Sequence, residues 1–364
     1  MLSPKTRRNI SRIIPFGLIW LIFSLVYSLL ERGLLGHLSY YPATGNPYDF
    51  SNTVFVTAVT ALIVGLIVGS IEVLYLFKLF ASKSFTKKIF YKTGIYLVII
   101  ILFLLSITTI YNSFELKTGF FSKPVWNNVW SFFSDYSFWS VEVYIATIIV
   151  VSLFYSEVSV NLGHGVLSNF FTGKYHSPVE EERIFMFLDM KSSTAIAENI
   201  GHVKYFEMLR EYFSDLSDPI IKYSGQVYQY VGDEVVITWD LKTGLQDNNC
   251  IECFFSMNEL IKKKSADYKE RFGVSPEFKA GLHLGKVTTG EIGVIKKEII
   301  FTGDTLNTAA RIQSLCNTYQ VNILISDPLM IKLDISSKYR IRSMGENELK
   351  GRDKKMTLFT ILPA

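Results

Sequence analysis

Apolar residues fill four long stretches in the first half of the chain and break into short alternating runs in the second. The long stretches cover residues 13–30, 54–80, 94–110 and 138–154. Each approaches or exceeds the ~20 residues that an α-helix needs to cross a bilayer. The first predicts a retained span rather than a cleaved leader, because it is long, ends at Leu30-Glu31-Arg32 and lacks a small-residue cleavage site. Residues 155–182 begin as a helical continuation and then break at Gly163, Gly165, Gly173 and Pro178, which reads as a short transducer.

Beyond residue 182 the period changes. RIFMFLDM (183–190) is a buried strand ending at Asp189. A helical pattern runs over 193–223 with a break expected at Gly201. Residues 226–231 and 234–240 form a hairpin about Gly232-Asp233. Helical patterns over 246–272 and 304–319 alternate with strands over 277–284, 298–301, 321–326, 339–343 and 356–362. A hairpin inside mixed order predicts an α+β sandwich, a mainly antiparallel sheet with helices on it. The expected division is a four-span membrane domain over 1–158, a linker over 159–182 and a cytoplasmic domain over 183–364.

Composition sharpens this division. Of 364 residues 49% are hydrophobic and 19% charged, with a mean hydropathy of +0.25. That charged share falls below the ~25% of soluble chains. Residues 1–160 hold 12 Lys/Arg and 7 Asp/Glu; the remainder holds 25 and 26, an ordinary soluble balance. No basic face argues for nucleic acid. Lys5, Arg7, Arg8 and Arg12 precede the first span, and Lys83, Lys87, Lys88 and Lys92 fill the loop between the second and third. The positive-inside rule then puts both termini in the cytoplasm of a multi-pass plasma (inner) membrane protein. Membrane lipid is one expected partner, and a sensed ligand of unspecified chemistry another. The aromatic segment 120–139 predicts an interfacial belt. Glu72 and Glu142 are carboxylates inside spans, a costly placement that suits helix packing or sensing. Cys250 and Cys253 form a lone C-x-x-C, read as core packing rather than zinc.

Chemistry concentrates in the second half. Asp189 at a strand end and Asp233 at a hairpin tip suit a divalent metal with phosphate, and Ser192-Ser193-Thr194 opens a helix whose backbone N–H groups could receive phosphate oxygens. The same residues would also serve as a helix cap and a common turn. In GDTLNTAAR (303–311), Asn307 and Arg311 stand four apart and share a helix face, an amide beside a guanidinium.

Together FLDMKSST (187–194), YVGDEVV (230–236) and GDTLNTAAR resemble the three ordered motifs of class III nucleotidyl cyclases, of the membrane-anchored bacterial type. The resemblance implies a ferredoxin-like sheet with helices and conversion of ATP to 3′,5′-cyclic AMP and pyrophosphate. It implies that Asp189, Asp233 and the Met190 carbonyl bind two Mg²⁺ or Mn²⁺ ions. Ser192, Ser193 and Thr194 would line the phosphates, Asn307 would orient the ribose, and Arg311 would stabilise the α-phosphate. Arg352, or Lys350, would reach the triphosphate. Metal carboxylates and the Asn/Arg pair would come from different copies of a homodimer.

The pattern departs from the family at the base. Gln229 stands where the family has Lys, and Ile300 where it has Asp or Thr. A Gln can read either purine through its amide, whereas Ile reads nothing by hydrogen bonds. ATP is the expected substrate and GTP the alternative. A nucleotide-binding membrane receptor without turnover is the competing class. Gly232-Asp233-Glu234 also resembles part of a diguanylate cyclase signature, but Val231 and Val235 break it. Ser192 replaces a family glycine.

Overall fold

The structure is a computed structural model and describes residues 3–42, 47–81, 83–163, 167, 169, 172–335, 338–349 and 355–363. The chain forms two compact units, one from Thr6 to Leu162 and one holding Gly163 to Ala364.

The first unit carries four helices long and apolar enough to cross a membrane. They are α1 (Pro4–Leu35), α2 (Phe50–Ile71), α3 (Phe85–Glu115) and α5 (Tyr136–Leu162). α1, α3 and α5 outrun their apolar stretches at both ends, because polar residues there continue the backbone hydrogen bonding, whereas α2 starts ahead of its stretch and ends within it. The aromatic segment holds a further short helix, α4 (Lys123–Ser134), entered through a proline at its first turn. Phe16, Trp20, Val68, Tyr96, Ile148, Ile149 and Leu153 make the core between the spans. Large apolar side chains such as Ile22, Phe55, Phe103 and Phe114 cover the outside. That is the inverse of a water-soluble bundle and suits a lipid surround.

The second span continues past α2 through a π turn at Glu72–Leu76. Glu72 is buried there, and Lys92 from α3 lies 2.5 Å from its Oε1. The same ammonium lies 3.1 Å from Glu157 Oε1 on α5, and Lys88 sits 3.1 Å from Glu157 Oε2. Tyr96 donates from its hydroxyl to Val68 O at 3.2 Å and to Glu72 Oε2 at 3.4 Å. Arg12 of α1 stacks 4.5 Å over Phe77. Glu142 is equally buried, but its Oε2 has no hydrogen-bond partner.

In the second unit β1 (Val179–Met190), β2 (Gln226–Val231), β3 (Glu234–Asp240) and β4 (Phe278–Ile292) stand in the spatial order β2-β3-β1-β4, all antiparallel. With helices α6 (Ser193–Ile200) and α7 (His202–Lys222) after β1, and α8 (Leu241–Leu245), α9 (Asn249–Lys263) and α10 (Ser265–Phe272) after β3, this is the ferredoxin-like arrangement. The sheet extends through β6 (Ile323–Ser326), β8 (Met356–Pro363) and β7 (Tyr339–Asn347), while β5 (Glu298–Thr302) pairs with the distal half of β4.

Both faces of β1 are covered, which explains its unbroken apolar run. Ile184, Met186 and Leu188 join the main core under α7 and α9, including Cys250 and Cys253, both fully buried. Phe185 and Phe187 face the other way, into a smaller cluster with Val287 and Ala309. That cluster is roofed by α11 (Asp304–Tyr319). A Cβ on Gly281 of β4 would fall 2.2 Å from the Gln313 backbone nitrogen, so glycine is what lets α11 lie directly on the strand. Strand β4 runs eight residues past the expected end at Leu284, because Val287 and Thr289 remain buried beneath a polar- and glycine-rich sequence. Likewise β1 starts ahead of Arg183, since Val179 to Glu182 pair with β4.

Candidate active site

The end of β1 and the β2–β3 turn bring two carboxylates together. Gly232 adopts φ +62° in that turn, a left-handed conformation that glycine accepts without a Cβ penalty. Asp233 follows it, and its Oδ2 is buried without a hydrogen-bond partner among the described residues. Burial, then the close side-chain approach of Asp233, and then its charge raise the Asp189 carboxyl above its ordinary value, while Lys279 pulls it down. Glu234, next along β3, is pushed up to about 7 by burial and by the Asp189 and Asp233 charges.

Three groups around this pair were not foreseen from the sequence. Lys279 of β4 places Nζ 3.3 Å from Asp189 Oδ2 and 3.1 Å from Asn317 Oδ1. Gln313 donates from Nε2 to Asp189 Oδ2 at 3.2 Å. Tyr212, fully buried on α7, feels both carboxylates and is raised well above its ordinary value, chiefly by burial. The signal available was register: Lys279 lies directly across from Asp189 in the β1–β4 ladder.

Met190 is buried at the end of β1, its carbonyl adjoining the carboxylate pair in sequence. Ser192 adopts φ +55°, the left-handed region that glycine favours. Ser193 opens α6, and Thr194 is exposed in its first turn.

Helix α11 has two distinct sides. Thr305, Thr308, Ala309, Ile312, Gln313 and Cys316 are buried. Asn307 is exposed and Arg311 half-buried. Among the described residues Arg311 Nη1 makes no hydrogen bond, and it lies 3.9 Å from Asp304 Oδ1. Within one chain, Asp189 therefore touches the Gln313 side of the helix. Gln229 is exposed on β2 beside a bulge, and Ile300 is half-buried on β5 opposite Gly290. Lys350 and Arg352 lie outside the described residues.

Among the described residues no group of three or more His, Cys, Asp or Glu gathers as a ready metal cage. Two carboxylates with one orphaned oxygen fit a hard divalent cation nonetheless. Mg²⁺ is commonly held by one or two carboxylates, with water and substrate phosphate completing its shell.

The chain is 37% identical over 209 residues to "Adenylate cyclase 2" of Rhizobium meliloti (strain 1021), covering 57% of this chain and 58% of that protein. It is 26% identical over 205 residues to "Adenylate cyclase 1" of the same organism, covering 54% and 30%. The chain thus spans little more than half the length of one relative and under a third of the other. A bacterial light-regulated adenylyl cyclase structure superposes with a TM-score of 0.53 at 17% identity, covering 63% of this chain and 66% of that one, a likeness of fold. The family model described as "Adenylate and Guanylate cyclase catalytic domain" matches residues 176–362. With that model covering half its length, the chain belongs to the adenylate and guanylate cyclase catalytic-domain family.

Proposed function

We propose that the protein is a membrane-bound cyclase that converts ATP to 3′,5′-cyclic AMP and pyrophosphate. The carrying observation is the Asp189–Asp233 pair, with one buried oxygen left without a partner, inside a cyclase-family domain. In the reaction the ribose 3′-oxygen bonds to the α-phosphorus, the α-phosphorus–oxygen bond to the β-phosphate breaks, and the 3′-hydroxyl proton leaves. Asp189, Asp233 and the Met190 carbonyl would hold two Mg²⁺ or Mn²⁺ ions. When bound, such ions acidify the attacking hydroxyl and neutralise the departing phosphates.

The chain's own groups do the rest. Backbone N–H groups after Ser192 face the phosphates with the Ser193 and Thr194 hydroxyls. Asn307 orients the ribose, and Arg311 meets charge that grows on the α-phosphate. Arg352, or Lys350, meets the triphosphate. Gln229 and Ile300 border the base. The outward placement of Asn307 and the Arg311 Nη1 without a hydrogen bond support a site completed by a second copy. A twofold homodimer then holds two such sites. The Lys and Arg bias supports cytoplasmic termini and a cytoplasmic catalytic unit, with membrane domain 1–158, linker 159–182 and catalytic domain 183–364.

The test is turnover by the purified full-length protein with Mn²⁺ and either ATP or GTP. Cyclic AMP is the expected product. Cyclic GMP as the sole product would reassign the purine, and nucleotide binding with no product from either would favour a receptor. Asp233→Ala and Arg311→Ala should each be inactive and recover partial turnover when co-assembled; failure to complement argues against the shared site.

A further inference from the structure

Six residues before Asp189, the same face of β1 carries Arg183, which is 2% exposed. A buried guanidinium needs its donors satisfied, and here they reach across the sheet. Its Nε donates to Thr238 Oγ1 at 3.1 Å, and its Nη1 to Asp240 Oδ1 at 2.9 Å and Glu181 Oε1 at 3.4 Å. Its Nη2 donates to Gln226 Oε1 at 3.1 Å, and the group stacks 4.8 Å over the Phe301 ring. One side chain thus touches β1, β2, β3 and β5.

The stacked partner matters because β5 is not a ladder neighbour of β2. The β4–β5 hairpin folds over the sheet, so that the Phe301 ring lies 5.4 Å from Phe185 and 4.9 Å from Tyr228. The Tyr228 hydroxyl accepts the Phe301 backbone N–H at 3.4 Å. Gln229 follows Tyr228 in the chain, and Ile300 precedes Phe301. Each base-bordering position is therefore the chain neighbour of a residue in this contact, and its strand is tied to the other strand through it.

We infer that Arg183, Tyr228 and Phe301 form a clamp that sets the spacing of β2 and β5 at the nucleotide site, and so determines which purine nucleoside triphosphate is accepted. This rests on the reading of Gln229 and Ile300 given above. Neither of those side chains carries a rigid charged reader, so discrimination depends on how wide the slot between their strands is held. The clamp residues act as positioning residues. Arg183 holds the base of both strands, and the Tyr228 hydroxyl holds the backbone of β5.

Tyr228→Phe in the full-length protein removes the hydroxyl and keeps the ring. kcat and KM are measured with Mn-ATP and Mn-GTP, alongside affinity for fluorescent mant-ATP and mant-GTP, so that binding reports even without turnover. The ratio of preference between the purines should shift by about threefold to tenfold, the worth of one hydrogen bond. The change should fall on KM and affinity, with kcat on the better purine held within about twofold. Arg183→Lys should shift the ratio further in the same direction. If Arg183→Lys does not fold, Tyr228→Phe decides alone. An unchanged ratio with equal losses on both purines would mean a purely structural role and overturn the clamp. Gln229→Ala separates the two readings. If it moves the ratio while Tyr228→Phe does not, the clamp fails and the base assignment stands. If neither Gln229→Ala nor Ile300→Ala moves the ratio, the base assignment fails and takes the clamp with it.

Discussion

Each unit encloses acidic side chains, fully among the apolar helices and by half in the second unit, and the two treat them in opposite ways. In the membrane unit Glu72 and Glu157 share Lys92, with Lys88 and the Tyr96 hydroxyl taking further oxygens. In the catalytic unit Asp189 and Asp233 lie together with the Lys279 ammonium and the Gln313 amide both on Asp189 Oδ2, and among the described residues Asp233 Oδ2 finds no hydrogen bond. A buried carboxylate that is paired serves architecture. A buried carboxylate that is left short of positive charge is costly unless something else supplies it. The charges among the apolar helices tie the second, third and fourth spans together, whereas the Asp189–Asp233 pair fits the cation proposed for it.

The largest effect should therefore separate activity from stability. Asp189→Asn removes a like charge from the pair, so turnover should fall by about a hundredfold to a thousandfold. Thermal stability of the metal-free catalytic unit should hold or rise, because raised carboxyls already oppose ionisation there. A variant that loses stability along with activity would erase the contrast. Lys92→Met is the converse. It leaves Glu72 and Glu157 buried without their shared cation, and stability of the membrane unit should drop by about 3–5 kcal/mol. Adding Glu72→Gln to that variant should recover part of the loss, read as detergent-resistant folded protein; no recovery would mean that the pairing is incidental.

The elements that carry this contrast were legible in the sequence, the contacts that make it were not, and the division follows a physical pattern. The four spans, the hairpin about Gly232-Asp233 and the 304–319 helix are written in local periodicity, which sequence displays directly. Asp189, Asp233, Asn307 and Arg311 stand out because they sit at element ends or share a helix face. Lys279, Gln313 and Arg183 did not stand out, since their roles depend on ladder register and on how α11 crosses β4, both long-range facts. Lys92 counted as a loop cation in the charge bias, and only packing places it at 1% exposure between two glutamates. The distal half of β4 hid behind GKVTTGEI, whose alternation is masked by glycines and threonines.

A smaller effect tests whether the catalytic pair awaits a cation. Asp189 and Glu234 hold protons more tightly folded than unfolded, Glu234 up to about 7. A raised carboxyl contributes stability below its unfolded value and loses it as pH rises through the folded value. Metal-free stability from these groups is thus present near pH 4 and fades by about pH 7–8. A divalent cation requires the ionised forms and acts in the opposite sense. The Mn²⁺-induced rise in Tm should be small at pH 6 and larger at pH 8. A rise independent of pH would place the cation elsewhere.

The smallest effect concerns Lys279, the cation among the described residues that makes the catalytic pair resemble the cluster between the apolar helices. Its ammonium lies 3.3 Å from Asp189 Oδ2 and is anchored by Asn317. A divalent cation arriving at Asp189 would compete with that charge or share the carboxylate with it. Lys279→Met keeps the length of the stem and removes the charge, so the site becomes more negative. Mn²⁺ affinity at pH 8 should then rise by about twofold to fivefold, the worth of a partly screened ion pair. The same change lifts the Asp189 carboxyl further, since Lys279 is what pulls it down. The gain should consequently shrink toward pH 6, where protons displace the metal. Weaker Mn²⁺ binding at pH 8 would show that Lys279 orients Asp189 more than it neutralises it. The two units would then use their lysines in the same way, and the distinction between paired and waiting carboxylates would rest on Asp233 alone.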